Sequence, residues 1–250
     1  MPQRIVSLKP NITEILFALG VGDRVVGVTT WCDFPAAARA LPKVADYVRP
    51  NLEAILALRP DLVIASRENS LRAPIERLSQ WQIPVLLTDF TSVESLRTAI
   101  TAIATRVGAE PAGARLTQQI AAAIAPPPTA ATPAPRVLLL VGHYPPVAAG
   151  PASLLGELLR YAGAQNVITA PQPLYPQLSR EQLLALQPDV ILDAATSMEG
   201  VSNSNAKCKM QNTKCKMVDI DLLRAGPRVA AGIAALRDAI AAATEPEPTP

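Results

Sequence analysis

The sequence predicts an α/β protein built as two lobes, each with a central parallel sheet, joined by a single long connecting helix. Three observations carry this reading. Residues 53–65 (Glu-Ala-Ile-Leu-Ala-Leu-Arg-Pro-Asp-Leu-Val-Ile-Ala) recur 128 positions later as residues 181–193 (Glu-Gln-Leu-Leu-Ala-Leu-Gln-Pro-Asp-Val-Ile-Leu-Asp). In each copy, apolar residues at helical spacing precede a Pro, and an Asp then opens a short aliphatic run, which reads as helix, turn and buried parallel strand. The chain also begins strand, helix, strand, the opening of an α/β sheet. Finally, residues 111–125 carry a strong helical pattern and run into a Pro- and Ala-rich stretch at 126–135 that fits neither helix nor sheet interior. The resulting division is 1–108 for an N-terminal Rossmann-like lobe, 109–135 for the connecting helix and Pro-rich linker, and 136–250 for a C-terminal lobe. Open parallel sheets bind ligands beyond the C-terminal ends of their strands, which puts the expected site in the cleft at the lobe boundary.

The elements follow in order. Residues 4–8 read as a strand, 11–19 as a helix with Asn11 as N-cap and Gly20 as C-cap, and 24–28 as the next strand. Gly20-Val21-Gly22 follows a helix and precedes a strand, the reverse of the order that cradles a phosphate, so it reads as a helix stop. After the first repeat copy come a helix at 71–80, a strand at 84–87 and an amphipathic helix at 93–107. Trp81, just past a helix, is expected in the core. The second lobe opens with a strand at 136–141, continues through a helix at 154–162 ended by Gly163, reaches the second repeat copy and closes with a helix at 228–242. The polar, Pro-rich tail at 245–250 is expected to fray. An unbroken helix as sole crossover would keep hinge motion small, since helices bend only at identifiable breaks.

Composition narrows the function classes. The 250-residue chain carries 23 Lys and Arg against 21 Asp and Glu, a net charge of +2 with no basic stripe, which argues against nucleic acid as a partner. The longest aliphatic run, 137–141, is far short of the roughly 18 residues that suggest a membrane span, so a soluble protein is expected. Met1 lies almost directly before the first strand and leaves no room for a leader. The expected location is therefore extracytoplasmic if a leader was trimmed, and cytoplasmic if Met1 is the native start. A single histidine, His143, excludes a site built of several imidazoles and argues against a zinc or manganese receptor. Three cysteines make an odd number without metal-knuckle spacing and signal neither a disulfide framework nor a zinc site. Lys-Cys-Lys-Met stands at 207–210 and again at 214–217, and a short tandem DNA repeat explains this better than a shared ligand role. The competing reading is a soft-metal site of Cys208, Met210, Cys215 and Met217, whose sulfurs suit copper(I) or zinc. No Gly-x-Ser-x-Gly elbow, phosphate loop or His and carboxylate cluster is present, so no enzyme is expected.

Four segments carry a family resemblance: Arg4-Ile-Val-Ser-Leu-Lys-Pro-Asn-Ile-Thr-Glu-Ile-Leu-Phe-Ala-Leu-Gly20, Trp31-Cys-Asp-Phe-Pro35, Leu41-Pro-Lys-Val44 and Asn51-Leu-Glu53. Together they resemble the helical-backbone (class III) periplasmic substrate-binding proteins of ABC importers, most of all the cobalamin-binding proteins, over nearly the whole chain except 200–217. That resemblance implies a monomer without cofactor that takes cobalamin or a related corrinoid and delivers it to an ABC permease dimer. It implies aromatic ligand walls at Trp31, Tyr47 and Tyr175 and a basic contact at Arg224, with Ser66 and His143 lining the site. Ser66 and Val147 stand where a cobalamin binder can carry aromatic rings. Glu68 and Glu199, one after each repeated strand, are implied to dock onto permease arginines, contacts that set orientation and encounter rate. Cys32 and His143 are expected to act as a packed thiol and a loop hydrogen-bonder, not as metal ligands. Aromatic rings suit a corrinoid, whose macrocycle presents apolar faces and an amide rim. The alternatives are haem or an iron-siderophore as cargo, a cytoplasmic corrinoid-binding protein, or a two-lobed enzyme.

Overall fold

A computed structural model describes residues 1–46, 49–67, 72–125, 133–195 and 213–244. The chain divides into two units, Met1–Ile120 with Ala225–Pro227, and Ala121–Arg224 with Arg228–Pro250.

The first unit holds strands β1 (Ile5–Ser7), β2 (Val25–Thr29), β3 (Lys43–Ala45), β4 (Leu62–Ser66) and β5 (Val85–Thr88), all parallel, in the order β3-β2-β1-β4-β5. Helices α1 (Pro10–Ala18), α2 (Ala36–Arg39), α3 (Leu52–Ala57), α4 (Arg72–Gln80), α5 (Val93–Val107) and α6 (Glu110–Ala123) alternate with and follow them. Every residue of β1 and β4 is buried, as a parallel sheet covered on both faces requires. Val6, Val44, Ile55, Val63 and Leu78 form one cluster of this core.

Helix α1 starts earlier than its capping residue suggested. Lys9 is the extended residue at the cap, Pro10 occupies the first turn, and Asn11 lies inside the helix. Proline is pre-organised for that position and has no N–H to leave unpaired, so it sets the start ahead of Asn11. The Asn11 amide instead donates to the Ala225 carbonyl at 3.1 Å. Gly20 has φ 78° and ends the helix in the left-handed region that favours glycine. Trp81 is 39% exposed and is not a core residue; α4 ends at Gln80, and the fully buried Leu78 fills the core position of its last turn.

The second unit holds β6 (Arg136–His143), β7 (Pro146–Ala148), β8 (Gln165–Asn166), β9 (Val190–Asp193) and β10 (Lys214–Met217), in the order β10-β9-β6-β7 with β8 also on β6. All pairings are parallel except β6 with β7. Here β6 runs past residue 141 to His143 and turns back through Tyr144 and Pro145, an antiparallel edge on an otherwise parallel sheet. Pro146 is tolerated because β7 is an edge strand. Helices α7 (Leu154–Tyr161), α8 (Arg180–Leu186) and α9 (Val229–Thr244) complete the unit. The second Lys-Cys-Lys-Met is β10, in register with β9 from Lys214 and Val190 to Met217 and Asp193. Cys215 on this strand is disulfide-bonded, whereas Cys32 is a buried free thiol. The odd cysteine total hid that bond because one thiol takes no part in it. Among the described residues no helix is long and apolar enough to cross a membrane.

The internal duplication is visible in individual hydrogen bonds. The Asp61 carboxylate accepts from the backbone N–H groups of Gln3 (2.7 Å) and Arg4 (2.9 Å), and the Arg4 guanidinium donates to Leu58 O at 2.9 and 2.7 Å. In the second copy Asp189 accepts from Arg136 N at 2.7 Å, and the Arg136 guanidinium donates to Leu186 O (2.8 Å) and Gln187 O (3.1 Å). In both, a guanidinium satisfies carbonyls that a helix C-terminus leaves unpaired. Arg59 and Gln187, each ahead of a Pro that disfavours right-handed backbone, take φ 45° and 43°. Asn51 and Ser179 cap the two helices. The staple pins β1 to β4 and β6 to β9 at their N-terminal ends; at the other end β1 stops at Ser7 opposite Ile64 and β9 at Asp193 opposite Leu140, so β4 and β6 extend past their partners to Ser66 and His143.

Candidate functional site

In the first unit Trp31 follows β2 by two residues and its side chain is 60% exposed. The loop is anchored by its neighbour. Cys32 is buried, and its sulfur receives a hydrogen bond from the Thr13 hydroxyl (3.1 Å) and lies 3.2 Å from that of Thr29. Trp31 N also donates to Thr29 Oγ1 at 3.3 Å. With the thiol committed to the core side of the loop, the indole is the side chain turned to solvent. Phe34, further along the same loop, is exposed as well. It lines an open cavity of about 280 Å³ with Glu14, Phe17, Ala18, Pro35 and Pro227. Ser66 ends β4 on the same sheet edge and is fully buried, offering no solvent-facing surface. Tyr47 and Glu68 lie outside the described residues.

In the second unit Tyr175 is 44% exposed while its backbone is tightly held. The flanking carbonyls of Leu174 and Pro176 accept from Gly150 N (2.8 Å) and Ala148 N (3.0 Å), laying the segment along β7. The ring is thus presented by backbone bonds and needs no burial of its own. His143 ends β6, and its Nε2 lies 2.9 Å from Oδ1 of Asp193, the last residue of β9, with side-chain exposures of 7% and 1%. Tyr144 next to it meets the imidazole edge-on, ring centroids 6.4 Å apart. Arg224 is half-buried and binds Asp221 at 2.6 Å, one turn back. Glu199 lies outside the described residues. Among the described residues, no group of three or more His, Cys, Asp or Glu side chains is arranged to hold a metal ion.

Besides Trp81, Phe34 and Tyr144 are exposed aromatics that residue reasoning did not single out. Phe34 and Tyr144 each stand directly before a proline in a loop that follows a strand, which is the signal that was available; their exposure was not.

The model of the periplasmic binding protein family matches residues 5–214. The chain belongs to the periplasmic binding protein family. Among relatives of this periplasmic binding protein, the Vitamin B12-binding protein of Pectobacterium atrosepticum is 32% identical over 239 residues, spanning 92% of this chain and 85% of that one. A periplasmic heme-binding protein from Roseiflexus sp. RS-1, in apo form, superposes with a TM-score of 0.84 at 29% identity over 98% of this chain and 100% of its own. The periplasmic Vitamin B12 binding protein of Vibrio cholerae superposes with a TM-score of 0.80 over 98% and 99%, and at 24% identity it is a likeness of fold alone. The two-lobed α/β architecture expected from the duplicated segment is that of these periplasmic binding proteins, which are solute receptors and not enzymes.

Proposed function

We propose that the chain is the substrate-binding protein of an ABC importer, that its cargo is cobalamin or a related corrinoid, and that it works outside the cytoplasm. The observation that carries this reading is the 32% identity to a Vitamin B12-binding protein across 92% of the chain. The exposed rings of Trp31 and Tyr175, each beside the strands of its own unit, support it. Rings held by backbone and by a buried thiol cover a flat macrocycle at little cost in side-chain entropy. Covering about 300 Å² of apolar ligand surface yields roughly 7 kcal/mol gross at about 25 cal/mol per Å², before the entropy of association is subtracted. Tyr47 and Arg224 are proposed as further ligand contacts, each in its own unit, and Glu68 and Glu199 as docking contacts for the permease dimer. No cofactor is assigned, and the receptor acts as a monomer.

A second reading keeps the receptor and changes the cargo to haem, and the heme-binding protein of Roseiflexus at TM-score 0.84 favours it. Parallel titrations with cyanocobalamin and haemin, followed by absorbance and calorimetry, separate the two. The corrinoid reading expects cyanocobalamin to bind at micromolar concentration or below. Saturable binding of haemin with no response to cyanocobalamin would overturn it.

A further inference from the structure

Tyr144 is the most exposed aromatic side chain among the described residues, at 77%. It stands at the tip of the β6–β7 hairpin, where His143 pairs with Pro146 and only Tyr144 and Pro145 lie outside the ladder. Directly beneath it is a buried polar pair, Asp193 with His143, that joins the last residue of β9 to the last residue of β6. Asp193 Oδ1 is itself oriented by Ala195 N at 3.0 Å. His143 Nδ1 is buried with no hydrogen-bond partner, so the contact to Asp193 alone sets the ring by hydrogen bonding. Apolar side chains would fill the same space at no desolvation cost, so such a pair is a poor source of stability and a good source of orientation. What it orients is the base of the hairpin and, through the edge-on contact at 69°, the ring of Tyr144.

The geometry points to Tyr144 as a ligand-contacting ring for the flat face of the cargo, with Asp193 and His143 as the positioning pair that holds it there. The inference rests on the receptor reading above. Both central strands of this sheet end at that edge, where open parallel sheets bind ligands. A tyrosine there covers apolar ligand surface with its ring, and with only two rotatable side-chain bonds it loses little freedom on binding.

Calorimetric titration of the full chain with cyanocobalamin tests it. Tyr144→Ala is expected to weaken binding about tenfold, equivalent to about 1.4 kcal/mol, and Tyr144→Phe to recover most of that loss. His143→Asn is expected to weaken binding in the parent chain and to have no further effect on top of Tyr144→Ala, the non-additivity of a residue that acts through its neighbour. Thermal melts confirm that each variant is folded. If the parent binds and Tyr144→Ala stays within about twofold of it, or if the two substitutions add independently, the inference is overturned and the receptor reading stands. If the parent binds haemin and not cyanocobalamin, the cargo assignment falls instead, and the same variants are judged by the same criteria with haemin. A parent that binds neither overturns both.

Discussion

At the scale of single residues, the loop after β2 shows how one side chain aims another. Cys32 is drawn inward by the hydroxyls of Thr13 and Thr29, and Trp31 beside it faces out. The sequence reading of Cys32 as a packed thiol and of Trp31 as a ligand wall came from residue types in a recognisable segment. The opposite facing of the two came from contacts to Thr13, which lies on a different element. Since Trp31 and Tyr175 support little of the core, substituting either by Ala should weaken cyanocobalamin binding by about tenfold, or ~1.4 kcal/mol, with an unchanged melting temperature. Calorimetry and a thermal melt on the same preparations check both halves of that expectation. Trp81 marks the limit of residue-level reasoning. A large ring after a helix was expected inside, yet Leu78 already occupies the core position and leaves the indole at the surface.

At the scale of elements, legibility followed how local the determinants are. Helix α5 has the bounds read from sequence, because Ser92 and Ser95 form a capping box at its start, Gly108 ends it at φ 71°, and Leu96, Ile100, Ile103 and Val107 make its buried stripe. Strands β3, β7 and β8 were missed. They are two or three residues long, and what makes them strands is pairing with partners elsewhere in the chain; β10, four residues of a Lys-rich segment not read as a strand, likewise owes its conformation to pairing with β9. Helix ends can be just as non-local. Arg237 of α9 donates from one Nη2 to the carbonyls of Ala123 (3.1 Å), Ala125 (2.8 Å) and Tyr161 (2.9 Å), serving the C-terminal ends of α6 and α7 together. Removing it strips charge-assisted bonds from carbonyls of two helices. Arg237→Ala should therefore lower unfolding free energy by about 2 kcal/mol, and Arg237→Lys should restore only part of it, because a planar guanidinium spans the carbonyls and an ammonium does not. Urea denaturation followed by circular dichroism measures the difference.

At the scale of the whole molecule, the duplicated helix, turn and strand sets the architecture. Each copy carries its own Arg and Asp staple, Asn51 or Ser179 cap and left-handed residue before Pro, so each lobe has the means to organise its sheet by itself. Function at this scale requires that capture and delivery be separable. Replacing Glu68 and Glu199 by Arg should leave cyanocobalamin affinity unchanged while abolishing corrinoid uptake through the cognate permease in reconstituted vesicles. Uptake at the parent rate would overturn the proposed permease-docking role of both glutamates. The amino-acid sequence by itself determined the α/β class, the twofold repetition and the family, because periodicity, caps and turn residues act within a few positions along the chain. Only the tertiary structure decided that His143 meets Asp193, that Tyr144 is lifted into solvent above them, that Cys215 lies on a sheet edge and that Ser66 is sealed. Those outcomes depend on which distant segments share a sheet edge, and long-range strand pairing leaves no trace in local composition.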